Sequence, residues 1–168
     1  MSTAEHKKSA PSHVRAAIVT VSTTRSPAQD KSGQWMRQEL EALGHRVIHH
    51  EVVPDDAGRI RAAVEEVIYR KRPQILVLDG GTGISPQDVT IETLRPLFSK
   101  ELTAFGTLFA RLSYEQIGSA AILSRATAGT IGSAVVFCLP GSLNACQLAC
   151  RDLIFPELGH LVKHLQEG

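Results

Sequence analysis

With 168 residues, 43% of them apolar and 21% charged, the chain has the make-up of one folded domain and not of a disordered segment. A formal net charge of +1 gives no overall basic excess, which argues against nucleic acid as a main partner. No run of about 18 apolar residues occurs, so no membrane span is expected, and the polar, small stretch Met1 to His13 reads as a flexible arm on a cytoplasmic protein whose domain covers 14–168.

Val14 to Val21 reads as a buried strand, followed by the polar loop Ser22 to Asp30. Ser32 is placed to cap a helix over Gly33 to Leu43, in which Met36, Leu40 and Leu43 recur at helical spacing before Gly44 ends it. Val47 to Val53 is a second strand. His45, His49 and His50 cluster here, but alternation turns His49 and His50 to opposite sides, which favours surface placement over a shared metal. After Pro54, Asp55 and Asp56 offer cap oxygens to a helix with the stripe Ile60, Ala63, Val64, Val67 and Ile68. Tyr69-Arg70-Lys71-Arg72 closes it with positive charge that suits the negative end of the helix dipole.

Ile75 to Leu78 is the third strand, with a short helix over Ile91 to Leu97 and a longer one from Leu102 to Leu112. Ala120 to Ile131 and Ala134 to Leu139 read as strands around a Gly132-Ser133 turn, giving a short hairpin. The last helical region runs from Asn144 to Leu165 with a break at Pro156. Alternating strands and helices predict a three-layer α/β sandwich, a mostly parallel central sheet flanked by helices on both faces. Cys138, Cys146 and Cys150 lie among apolar neighbours and read as reduced, buried thiols. Cys146 and Cys150 are four apart, but no further ligand completes a metal site.

Two glycine turns each follow an apolar strand: Gly80-Gly81-Thr82-Gly83 and Pro140-Gly141-Ser142. Such turns leave backbone N–H groups where phosphates bind well, and the carboxylate of Asp88 follows the first within reach of a bound anion. Neither turn is a P-loop or a dinucleotide fingerprint. Each also fits a tight turn without a ligand, Asp55 and Asp88 also fit helix caps, and Arg125, after Ser124, fits either a phosphate fork or a salt bridge. From the residues alone the reading is an α/β protein with an anion-binding cleft.

Asp30-Lys31-Ser32-Gly33, Val53-Pro54-Asp55-Asp56, Gly80-Gly81-Thr82-Gly83 with Asp88-Val89-Thr90, Ile117-Gly118, Ser124-Arg125-Ala126 with Ala128-Gly129, and Leu139-Pro140-Gly141-Ser142 occur in one order from about Val14 to Leu165. In that wording the chain resembles the molybdenum cofactor biosynthesis family that contains molybdopterin adenylyltransferase, within it the protein B branch. The resemblance implies a molybdopterin-binding fold assembled as trimers or hexamers. It implies Mg-ATP-dependent adenylylation of molybdopterin with release of pyrophosphate, or alternatively a non-catalytic molybdopterin-binding or scaffold role, and a downstream partner that inserts the metal. It also implies that Asp55 and Asp88 are the acidic site residues, with Asp88 organising Mg²⁺. Gly80 to Gly83 would line the nucleotide and phosphate cleft, Pro140, Gly141 and Ser142 the molybdopterin side, with Ser124 and Arg125 as further binding residues. The chain departs from the family's wording at Thr107 and Ala110, where a Glu and an Arg are common, and at Asp79, where a Thr is common. A carboxylate at 79 beside a phosphate cleft is expected to repel the ligand unless Mg²⁺ or a proton offsets it.

Overall fold

The computed structural model describes residues 10–167. Of the expected arm, residues 1–9 lie outside the described residues. Pro11 packs at Gly159, where its carbonyl would stand 2.6 Å from any β-carbon, and His13 Nδ1 lies 2.8 Å from the Gly44 carbonyl.

Six strands form the sheet: β1 (Arg15–Val21), β2 (Arg46–Val53), β3 (Ile75–Asp79), β4 (Lys100–Glu101), β5 (Thr127–Ile131) and β6 (Ala134–Leu139). Their order is β2-β1-β3-β6-β5-β4. The pairs β1/β2, β1/β3 and β3/β6 are parallel, whereas β5/β6 and β4/β5 are antiparallel. The hairpin about Gly132-Ser133 therefore closes one side of a sheet that is otherwise parallel, and Gly132 takes a positive φ of 55° at its tip.

Helices α1 (Lys31–Ala42), α2 (Ala57–Glu66), α3 (Thr90–Leu94), α4 (Thr103–Ile117), α5 (Leu143–Ala149) and α6 (Leu158–Gln166) cover both faces. Strand alternation sorts the core between them. Ala16 and Ile18 of β1, Ile75 and Val77 of β3, and Val135 and Phe137 of β6 meet α1, α4, α5 and α6 through Met36, Leu40, Phe109, Cys146 and Val162. Their neighbours Ala17, Val19, Leu76, Leu78, Val136 and Cys138 meet α2 and α3 through Ile60, Val64, Ile91 and Leu94. The expected three-layer arrangement is the one observed, and all three thiols are free and buried, as expected.

Three local expectations are corrected. Ser32 does not cap α1: the carboxylate of Asp30 does, accepting from Gly33 N at 3.0 Å, so the helix starts earlier, at Lys31. The Ser32 hydroxyl is instead directed at Asp79. Of Ala120 to Ile131 only Thr127–Ile131 is strand. Gly118, at φ 62°, turns the chain at the end of α4, and Gly118–Leu123 coils into a tight 3₁₀ turn. There Ala121 is buried while Ile122 and Leu123 both face solvent, so no two-residue alternation exists to lie on a sheet. His50 is not simply a surface residue: its ring packs on Asp30, with Nε2 2.8 Å from Oδ2.

β1 lies between β2 and β3, so the chain leaves β1 in one direction to build β2 and returns past it to build β3. Such a reversal opens a crevice beyond the carboxyl ends of the central strands. β1, β3 and β6 end there, at Val21, Asp79 and Leu139, and both glycine turns follow directly.

Candidate functional site

The two turns touch. Gly80 N donates to the Leu139 carbonyl at 2.9 Å, and a β-carbon on Gly141 would stand 3.1 Å from Gly80 Cα. Gly80, at φ 100°, lies so close to the Val21 carbonyl that no side chain fits. Thr90, at the head of α3, ties off the first turn: its amide donates to the Gly81 carbonyl and its hydroxyl to the Gly80 carbonyl, each at 2.9 Å. With those carbonyls satisfied, the amides of Gly81, Thr82 and Gly83 donate to no other described residue. They are free donors for an anion.

A cavity of about 370 Å³ lies against this junction. Gly80, Gly81, Thr82, Gly83, Pro140, Gly141, Ser124, Asp55 and Asp88 all line it, so nearly every residue singled out in the sequence converges on one place. Asp55 reaches it from the β2–α2 loop, with Oδ2 fixed by the Thr23 amide at 2.7 Å and the Thr23 hydroxyl at 2.8 Å. Helix α2 is capped by Asp56, which leaves Asp55 for the cavity. Asp88 accepts the Ser85 amide at 2.9 Å and faces Gly83.

Arg125 and Ser142 are not part of the lining. Arg125 donates to the Gly83 carbonyl at 3.1 Å and pairs with Glu92, so it braces the turn from outside. The Ser142 hydroxyl accepts from Ala145 N at 3.2 Å, the cap of α5. The cation that does line the cavity is Arg25, which the sequence reading passed over. Its guanidinium donates to the Gly141 carbonyl at 2.9 Å and to the Ser32 hydroxyl at 3.2 Å. Its position just past the end of β1, beside the switch crevice, was the available signal.

Asp79 is corrected as well: it does not face the ligand cleft. It is fully buried beneath the turn, bonded to the hydroxyls of Thr20 and Ser32.

The lining suits a hard divalent cation of the kind that keeps water and phosphate oxygens as most of its ligands. Asp55 and Asp88 each have one oxygen, Oδ1, that meets no hydrogen-bond donor among the described residues. Among the described residues no group of three His, Cys, Asp or Glu forms a complete protein cage. The chemistry on offer is charge neutralisation and alignment of phosphates, without a side-chain nucleophile.

An open α/β sheet whose switch crevice carries a glycine turn, carboxylates and one arginine defines a doubly wound α/β protein with a crevice whose donors suit an anion. A family described as "Probable molybdopterin binding domain" matches residues 17–160. The molybdenum cofactor biosynthesis protein B of Bacillus cereus is 49% identical over 98% of both chains. A crystal structure of a molybdenum cofactor biosynthesis protein B is 46% identical with a TM-score of 0.91, covering 95% of this chain and 99% of that one. The tungsten cofactor synthesizing protein MoaB from Pyrococcus furiosus is 39% identical with a TM-score of 0.83, covering 94% and 99%. The chain belongs to the molybdenum cofactor biosynthesis protein B family, within the molybdopterin-binding domain class. No helix among the described residues is long and apolar enough to cross a membrane.

Proposed function

We propose that the protein adenylylates molybdopterin at the expense of Mg-ATP and releases pyrophosphate. One observation carries this reading: both glycine turns, Asp55, Asp88 and Arg25 share a single cavity. The terminal phosphate of molybdopterin attacks the α-phosphate of ATP; the new P–O bond forms as the bond to the β-phosphate breaks, and pyrophosphate leaves with the electron pair. The free amides of Gly81, Thr82 and Gly83 hold phosphate oxygens in line, and the Pro140-Gly141 side receives the molybdopterin phosphate beside Arg25. Ser142 contributes by capping α5, which fixes the Gly141 backbone. Asp88 and Asp55 would hold Mg²⁺, which when bound supplies compensation for the charge developing on the phosphates.

The working form is a cytoplasmic homo-oligomer, a trimer or hexamer. Exposed Tyr114 and Ile117 at the end of α4 and Ile122 in the turn that follows support this. The product passes to a protein that inserts the metal.

Purified protein given molybdopterin, ATP and Mg²⁺ is expected to release pyrophosphate. Asp88→Asn is expected to lose about a hundredfold in kcat while keeping its fold by circular dichroism. Molybdopterin binding without pyrophosphate release under any divalent metal would leave only the non-catalytic alternative.

A further inference from the structure

Beneath the cavity lies a closed chain of buried polar groups. The Thr20 hydroxyl stands 2.7 Å from Asp30 Oδ2 and 2.6 Å from Asp79 Oδ1. The Ser32 hydroxyl donates to the other oxygen of Asp79, stands 3.4 Å from Asp30 Oδ1, which closes the chain, and receives Arg25 at 3.2 Å. Thr20, Asp30, Ser32 and Asp79 are all essentially inaccessible to water, and no buried side-chain polar atom among the described residues lacks a partner.

Counting hydrogens decides the protonation state of this chain. A hydroxyl has one hydrogen, so Thr20 donates to only one of its two carboxyl neighbours. The other contact is satisfied only by a carboxyl that carries its own hydrogen. Asp30 accepts the Gly33 amide at 3.0 Å and meets His50 Nε2 at 2.8 Å, an environment that holds it ionised. Asp79 receives no N–H donor at hydrogen-bond distance. An extra hydrogen on this chain therefore belongs to Asp79, which meets only hydroxyls, and not to Asp30; carried on Oδ1 it points at Thr20, whose own hydrogen then points at Asp30.

We propose that Asp79 is a positioning residue that works as a neutral carboxyl group, leaving the charge of Arg25 available to a phosphate-bearing anion in the cavity. Arg25 lies 3.9 Å from Asp79 Oδ2 and also lines the cavity. An ionised Asp79 would draw the guanidinium inward and spend its charge. The protonated acid leaves Arg25 on the Gly141 carbonyl, facing the ligand. Burial pushes the Asp79 acid up to about 6, so without a ligand the proton is held below that pH and is mostly lost by pH 7, and a bound anion beside Arg25 favours its return. The other titratable groups facing it are Arg25 from the β1 loop, Asp30 at the head of α1, the thiol of Cys146 on α5 and that of Cys150 in the helical turn that continues α5. The inference rests on the phosphate-binding reading of the same cavity, but not on turnover.

The test is the affinity of the whole protein for inorganic pyrophosphate, measured by calorimetry from pH 5 to pH 8 on the wild type and on Asp79→Asn. An amide copies the neutral acid, donating to Thr20 and accepting from Ser32, and cannot ionise. The expected result is equal affinity at pH 5 and a wild type about tenfold weaker than the variant at pH 8, which cancels the titration of pyrophosphate itself. Affinities that stay parallel across the range, or no binding by either protein, overturn the proposal. Should the variant fail to fold, infrared spectra of the wild type decide. A protonated-acid carbonyl band that fades between pH 5 and pH 8, and persists to higher pH with pyrophosphate bound, is expected; its absence overturns the proposal. Pyrophosphate release without this pH behaviour rejects the role of Asp79 alone. The pH behaviour without adenylyl transfer rejects the reaction alone.

Discussion

Burial is the largest influence on the Asp79 acid. Hydrogen bonds from Ser32 and Thr20 and the Arg25 charge act against it, and the Asp30 charge acts with it. The result is a value of about 6 against an ordinary 3.8, so the folded protein holds this proton more tightly than the unfolded chain does. The stabilising share is present below about 3.8 and is lost as pH rises through about 6, a change of about 3 kcal/mol for this group. Asp30 has the opposite sign. Burial raises its acid, but bonds from His50, Gly33 and Thr20 outweigh that, so its contribution is lost as pH falls. Asp79→Asn is therefore expected to be more stable than the wild type in urea at pH 8, by up to about 3 kcal/mol, with the difference vanishing near pH 4. The expectation ended β3 at Leu78 and set Asp79 beside the cleft; the strand runs one residue further, and alternation then puts Asp79 inside. Ile75, Val77 and Asp79 alternate onto one face of β3, as Ala16, Ile18 and Thr20 do on β1. Its hydrogen-bond partners were not legible, because Ser32 belongs to another element.

At the scale of elements, apolar periodicity located β1, β2, β3 and β6 and the helices α1, α2 and α3, whereas it ended α4 early, at Leu112, and ran α5 and α6 into one region broken at Pro156. It failed at Gly118–Leu123, whose alanines and exposed Ile122 and Leu123 carry no period, and at β4, only two residues long. Caps were half legible: the sequence offered Asp55, Asp56 and Ser32, and tertiary contacts chose Asp56 and Asp30. Two caps of the same residue type now differ in what else they hold. Asp56 is exposed and caps α2 alone, accepting Arg59 N at 2.8 Å. Asp30 caps α1 and also satisfies Thr20 and His50. In denaturant titrations Asp56→Ala is expected to cost about 1 kcal/mol. Asp30→Ala is expected to cost about 3 kcal/mol, since it leaves buried partners unsatisfied as well.

For the molecule as a whole, the parallel sheet followed from the alternation of strands and helices, but the cavity depends on strand order. Gly80 and Gly141 meet only because β6 joins β3, a pairing across more than fifty residues that no local pattern encodes. Arg25 enters the same cavity because β1 is the other neighbour of β3. The assembly expected from the resemblance has its own signature: Ile122 is 85% exposed, with Tyr114 at 64% and Ile117 at 53% nearby. Light scattering is expected to give the mass of a trimer or hexamer. Ile122→Asp, at a position the single chain does not bury, is expected to shift that mass toward the monomer without unfolding; a monomeric wild type would refute the assembly.

The thiols of Cys146 and Cys150, on the helical stretch after β6, lie in the core layer beneath α1 and α4, and that of Cys138, on β6, lies in the opposite layer beneath α2 and α3. Burial pushes Cys138 up to about 12 and the other two further in the same direction, so at neutral pH none presents a thiolate to an oxidant or an alkylating reagent. Chemical damage must then wait for the interior to breathe. Each scar on a sulfur is a time-stamp of an opening event, and whether the helix or the strand is scarred first tells which of them parts company with its neighbours more often.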